Sequence, residues 1–99
     1  MARRFGRAKS FNKMNVKKIP EDKPILYRFK SEKNKELYIG VAKKSRTQER
    51  LSEHLTKKGE KIPGAKKFQV LQFSNIKKAK VAEKKLIKKL NPKYNKEET

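Results

Sequence analysis

Toward the end of the chain an acid stands where a hydrophobe belongs. At 100° per residue, Ala79, Ala82, Leu86, Ile87 and Leu90 line one apolar stripe, and Glu83 falls inside it. Lys77, Lys78, Lys80, Lys84, Lys85, Lys88 and Lys89 take the opposite arc, with Val81 among them. A carboxylate turned toward a core needs a cation, a set of donors or a metal. Position alone leaves two readings open, an ion pair with a lysine or arginine and a site carboxylate. Upstream, Arg50 and His54 lie i and i+4 beside the apolar positions Leu51 and Leu55. Arginine forks onto phosphate through two parallel N–H donors, which lysine does not reproduce. His54 is the one histidine in the chain. Alone it reads as structural; beside an arginine, with a metal-competent glutamate elsewhere, it becomes a candidate.

The elements that must position these groups follow from local pattern. Ile25 to Phe29 is rich in aromatic and β-branched residues and reads as a strand, Ser31 to Glu36 as a hairpin loop, and Leu37 to Val41 as its partner. Within the partner, Leu37, Ile39 and Val41 share one face and Tyr38 and Gly40 the other. A glycine inside a strand weakens it unless something approaches the backbone closely. Ser45-Arg46-Thr47-Gln48 has the form of a capping box, so a helix is expected from Arg46 to about Lys57, with Gly59 beyond its end. Glu60 to Lys67 reads as a loop or short turn and Phe68 to Phe73 as a third strand. Ser74 or Asn75 then caps the lysine-faced helix, which ends before Asn91-Pro92. The expectation is a small α/β domain, a three-stranded antiparallel sheet flanked by helices.

Composition says what such a domain meets. The 99 residues hold 30 Lys or Arg against 10 acids, a formal charge of +20. That surplus supplies phosphate contacts and a steering field, and nucleic acid is the expected partner over an acidic protein or an anionic membrane. Residues 1–20 read as a flexible basic arm, since Met1 to Lys18 holds seven Lys or Arg, no acid and no clear periodicity. Residues 21–99 read as the folded domain. Arg3, Arg4 and Arg7 in the arm, with Lys43, Lys44 and Arg46 ahead of the first long helix, are the expected nucleic-acid contacts. The chain has no cysteine, which removes disulfides, thiolate zinc sites and a cysteine nucleophile. No apolar run approaches the ~20 residues of a membrane span, and the basic N-terminus lacks an apolar signal core. A soluble, cytoplasmic protein is expected.

Taken in order, these residues resemble the GIY-YIG nuclease superfamily. Ile25-Leu26-Tyr27 stands at the first motif and departs from Gly-Ile-Tyr at two places; Tyr38-Ile39-Gly40 matches the second in full. Arg50 and His54 match the family's helix arginine and the His or Tyr four residues on. Glu83 matches the metal-binding glutamate of a later helix, and Asn95 the asparagine that closes the domain. Asn91-Pro92-Lys93-Tyr94-Asn95 is similar to the end of the N-terminal nuclease domain of UvrC repair proteins. The gap from Tyr38 to Arg50 is slightly longer than usual, which makes Arg46 the rival arginine. Val41 stands where UvrC-like domains carry a lysine, with Lys43 and Lys44 nearby.

The resemblance implies an endonuclease that hydrolyses phosphodiester bonds of DNA with one Mg²⁺ or Mn²⁺ ion. One hard carboxylate plus phosphate oxygens and water suits Mg²⁺. By the same resemblance, Glu83 holds the metal, Arg50 neutralises phosphoryl charge, and Tyr38, or Tyr27 relayed by His54, takes the proton. Asn95 organises the site through hydrogen bonds. The rival functions are a non-catalytic DNA- or RNA-binding module and a ribosomal-type RNA-binding protein; the latter does not explain the acid on the apolar stripe. DNA, duplex or structured, is the expected partner ahead of RNA; cutting both strands with one site calls for a dimer or two visits, and a targeting partner is one source of specificity.

Overall fold

The structure, a computed structural model, describes residues 5–56 and 62–95. Its elements run β1 (Lys9–Ser10), α1 (Lys13–Val16), β2 (Ile25–Lys30), β3 (Glu36–Ala42), α2 (Thr47–Thr56), β4 (Lys67–Gln72) and α3 (Ile76–Leu90). The strands form one antiparallel sheet in the order β1-β4-β2-β3. β2 is central and covered on both faces, which is why Ile25 to Phe29 reads as a nearly unbroken run rather than an alternation.

Alternation along the strands splits the core in two. Tyr27 pairs with Gly40 and with Val70, and Phe29 with Tyr38 and with Phe68, so these side chains share a face. That face meets α1 through Val16, the segment after it through Ile19, and α2 through Leu51. Leu26, Ile39, Val41 and Leu71 look the other way and meet Ala79, Ala82, Leu86, Ile87 and Leu90 of α3. The apolar stripe expected on this helix is therefore its packing face. Asn75 caps α3 by accepting from the Lys78 N–H, and Asn91 ends it in the left-handed conformation.

The structure corrects three expectations. The sheet has four strands rather than three, because the N-terminal segment adds β1 to the free edge of β4. Residues 5–20 are accordingly packed and not a free arm. Val16 and Ile19 are core residues, Phe11 lies 4.4 Å from the Phe29 ring, and the Gly6 N–H donates to the Val70 carbonyl. Phe11, Val16 and Ile19 join one core cluster while Phe5 joins the other and Met14 stays exposed, a spread that shows no single period. The capping box does not form either. Ser45 has φ 70°, the helix starts at Thr47, and the Gln48 side chain donates to the Ile19 carbonyl. Glu21, from 27 residues away, caps the helix instead by accepting from the Gln48 N–H at 3.1 Å. Lys57 and Gly59, expected at the other end of α2, lie outside the described residues. No helix among the described residues is long and apolar enough to cross a membrane.

Candidate active site

The site begins with a glycine. In β3, Gly40 sits directly opposite Tyr27, and a Cβ built there would lie 2.6 Å from the Tyr27 hydroxyl oxygen and 2.7 Å from its ring carbon Cζ. The missing side chain lets the phenol lie flat over the β3 backbone. Tyr27 is fully buried, and its hydroxyl is 2.9 Å from His54 Nε2. His54 is itself buried at 3% exposure and is boxed by Tyr27, Phe29 and Tyr38, with ring centroids 5.1–5.6 Å away.

Hydrogen-bond chemistry orders this cluster. Arg50, one turn before His54 on α2, bonds to the Tyr27 hydroxyl, and a guanidinium only donates. The Tyr27 oxygen thus accepts from Arg50, and it shares one hydrogen bond with His54 Nε2 whose donor follows the imidazole tautomer. Burial pushes the Tyr27 hydroxyl well above the ordinary phenol range, Tyr38 adds to the rise, and the Arg50 charge only partly opposes it. Tyr27 stays protonated. Burial works against the Arg50 charge, but Tyr27, Glu53 and Tyr38 outweigh it, so its pKa rises. Arg50 Nη1 is also 2.9 Å from Glu53 Oε1, three residues on.

Glu83 approaches from the α3 side. Its carboxylate is half-buried, desolvation raises its pKa, and Lys80 and Lys84 act in the opposite sense. Its charge reaches Tyr27. Among the described residues no ion pair forms to Glu83, so the paired reading left open by the sequence finds no partner here. Among the same residues no three His, Cys, Asp or Glu converge as a ready metal cage. A cation at this place would take one hard oxygen donor from the chain and the rest of its shell from water and substrate. Asn95 does its work on the backbone. Its Oδ1 accepts from the Ile39 N–H at 2.7 Å and its Nδ2 donates to the Ile39 carbonyl at 3.0 Å, clamping β3 between Tyr38 and Gly40.

Tyr27, Tyr38, Arg50 and His54 thus form one cluster, Glu83 lies within electrostatic range of it, and Asn95 braces its strand. The other sequence candidates separate. Arg46, the rival arginine, is exposed and pairs with Glu49 at 3.1 Å rather than with a tyrosine. Lys43 and Lys44 are exposed just past β3, whereas Arg7 lies by β4, toward the opposite edge of the sheet. Arg3 and Arg4 lie outside the described residues. Val41 packs into the α3-side core, so no cation stands at that position. Sequence reasoning missed Glu53 and Glu21. The Arg50-x-x-Glu53 spacing was a usable signal; Glu21 had none, because its partner is remote.

A family model described as GIY-YIG catalytic domain matches residues 23–95. Three solved structures of the GIY-YIG N-terminal endonuclease domain of UvrC from Thermotoga maritima are similar to this chain. One is a point mutant bound to the catalytic divalent cation: 31% identity, TM-score 0.73, covering 85% of this chain and 93% of that one. A second such mutant gives 32% identity and TM-score 0.73 over the same shares. The form bound to magnesium gives 30% identity and TM-score 0.68, over 83% of this chain and 97% of that one. No curated protein matches the sequence.

Proposed function

The chain belongs to the GIY-YIG catalytic domain family, and from that premise we propose that it is a metal-dependent endonuclease that cuts DNA. The observation that carries the reading is the half-buried Glu83 carboxylate, without an ion-pair partner among the described residues, whose charge reaches Tyr27 of the Tyr27–His54–Arg50 cluster. One Mg²⁺ or Mn²⁺ ion held through Glu83 would supply Lewis-acid stabilisation of the phosphate.

The chain's own groups do the rest. Arg50 donates to the phosphoryl oxygens from a guanidinium held on one side by Tyr27 and on the other by Glu53. Tyr27 is a poor base, because burial keeps its proton in place. That leaves Tyr38, half-buried and within the field of Arg50, to take the proton from the attacking water. His54 fixes Tyr27, and Asn95 fixes the strand that presents Tyr38. Lys43 and Lys44 lie exposed beyond the same strand and would guide the backbone in. A cytoplasmic setting, where DNA is directly reached, goes with this reading.

A supercoiled-plasmid nicking assay with Mg²⁺ or Mn²⁺ tests it. Wild type should nick, chelator should stop it, and Glu83→Ala should lose nicking while still shifting duplex DNA. Cleavage retained by Glu83→Ala would overturn the metal assignment. Stronger competition from structured RNA than from duplex would overturn DNA as substrate.

A further inference from the structure

α3 is built against its own interest as a helix. Seven lysines, at 77, 78, 80, 84, 85, 88 and 89, are all exposed, and its single acid, Glu83, faces inward. Lys80 and Lys84, Lys84 and Lys88, and Lys85 and Lys89 each stand four residues apart, where like charges repel. Lys77 and Lys78 occupy a first turn that holds no acid, at the positive end of the helix dipole. Among the described residues no ion pair engages any α3 lysine. α2 shows the ordinary arrangement, with Arg46 paired to Glu49 and Arg50 to Glu53. A face so uncompensated matches a polyanion. It runs ~18 Å from Lys77 to Lys89 at 1.5 Å per residue, a length that suits consecutive phosphates of a duplex.

The lysines do not all stand in the same relation to the active site. Lys80 and Lys84 adjoin Glu83, and their charges reach it. Lys78, Lys85 and Lys89 lie roughly 120–160° around the helix from Glu83 at 100° per residue. The apolar stripe of α3 is buried on the sheet, and Tyr27, Arg50 and His54 belong to the opposite layer, so these three lysines point away from the site. Duplex DNA is stiff over such lengths, and a segment seated at Glu83 does not also follow the far side of α3. We infer that the Lys78–Lys85–Lys89 side of α3 is a second nucleic-acid surface, gripping the phosphate backbone of a duplex segment other than the one being cut. The domain would then hold two segments at once, as at a crossing or a branch. This rests on the endonuclease reading for the first segment only.

The test separates the two surfaces. A short duplex is immobilised and saturated with protein without divalent metal; capture of a second, labelled duplex is then read against salt. In parallel, Mg²⁺-dependent nicking of a short duplex is measured. The triple variant Lys78→Gln, Lys85→Gln, Lys89→Gln should lose capture by roughly tenfold or more and lower its salt slope by about three. Its nicking should stay within about twofold, and its melting temperature should hold or rise as repulsion is relieved. The triple Glu variant should abolish capture. Capture unchanged in both variants overturns the proposal, as does nicking lost in parallel with capture, which would make α3 part of one interface. A wild-type chain that captures no second duplex also overturns it. Wild type that captures but never nicks would sink the endonuclease reading and leave the second surface standing.

Discussion

The Tyr27 hydroxyl is 2.9 Å from His54 Nε2, in a position where both side chains are closed off from solvent. Arg50 supplies the second bond to the same oxygen. Three residues from two elements are thereby locked by one atom, and the guanidinium is aimed before any substrate arrives. Tyr27→Phe removes that atom and strands buried polar groups on His54 and Arg50. The expected cost is about 1–3 kcal/mol, read as a lower melting temperature. Turnover should fall by about tenfold or more because Arg50 loses an anchor, with DNA affinity changed little.

Glu83 carries a stability signature of its own. Desolvation raises its folded pKa above its unfolded value, so folding favours the protonated form. The stability linked to it is fully present below the ordinary carboxylate range and is lost as pH rises through the raised value. Glu83→Gln should therefore melt higher than wild type at neutral pH, and the difference should close in acid. A lower melting temperature at neutral pH would reveal a hidden cation partner and restore the ion-pair reading.

Gly40 is irreplaceable for a geometric reason. The Cβ of Gly40→Ala would fall inside the Tyr27 phenol, which has the β3 backbone beneath it and is closed off on its other side. Overpacking of this kind costs about 1–3 kcal/mol. Hydrogen–deuterium exchange at β3 and loss of nicking together should show a displaced ring.

The N-terminal segment is expected to matter for folding before it matters for binding. Val16 is 1% exposed, and residues 19–21 bond to the first turn of α2 through Thr47 and Gln48. Deleting residues 1–18 should lower the melting temperature sharply. Glu21→Gln, which keeps an acceptor but loses the charge at the helix N-terminus, should cost about 0.3–1 kcal/mol. A truncated chain that melts like wild type would return the segment to the status of a tail.

Asn95 closes β3 in the way a neighbouring strand would, with one acceptor and one donor on a single residue's backbone. Asn95→Ala should cost about 1–3 kcal/mol for two bonds and reduce kcat more than KM, since Tyr38 is adjacent. Asn95→Asp keeps the acceptor but sets a carboxylate against the Ile39 carbonyl, and should not rescue it.

Much of this protein was legible in its sequence, because the signals were local. The Glu83 anomaly, the Arg50–His54 spacing, the central strands and the Asn75 cap all rest on periodicity or short-range hydrogen bonding, which the order of residues fixes directly. The charge likewise announced a phosphate partner. Tertiary structure decided what depends on residues meeting across distance. It brought Glu21 to the head of α2 and tucked Phe11 and Val16 into the core, turning a basic tail into a fourth strand and a brace. It also set Arg50 against Tyr27 while Arg46 stayed exposed with Glu49, and it holds the Tyr27 proton in place, because burial and the Gly40 gap set that phenol's surroundings. Glu83 thus began as an acid misplaced on a helix wheel. The fold decided that it stands half-buried, with no ion-pair partner among the described residues, and that its charge reaches Tyr27.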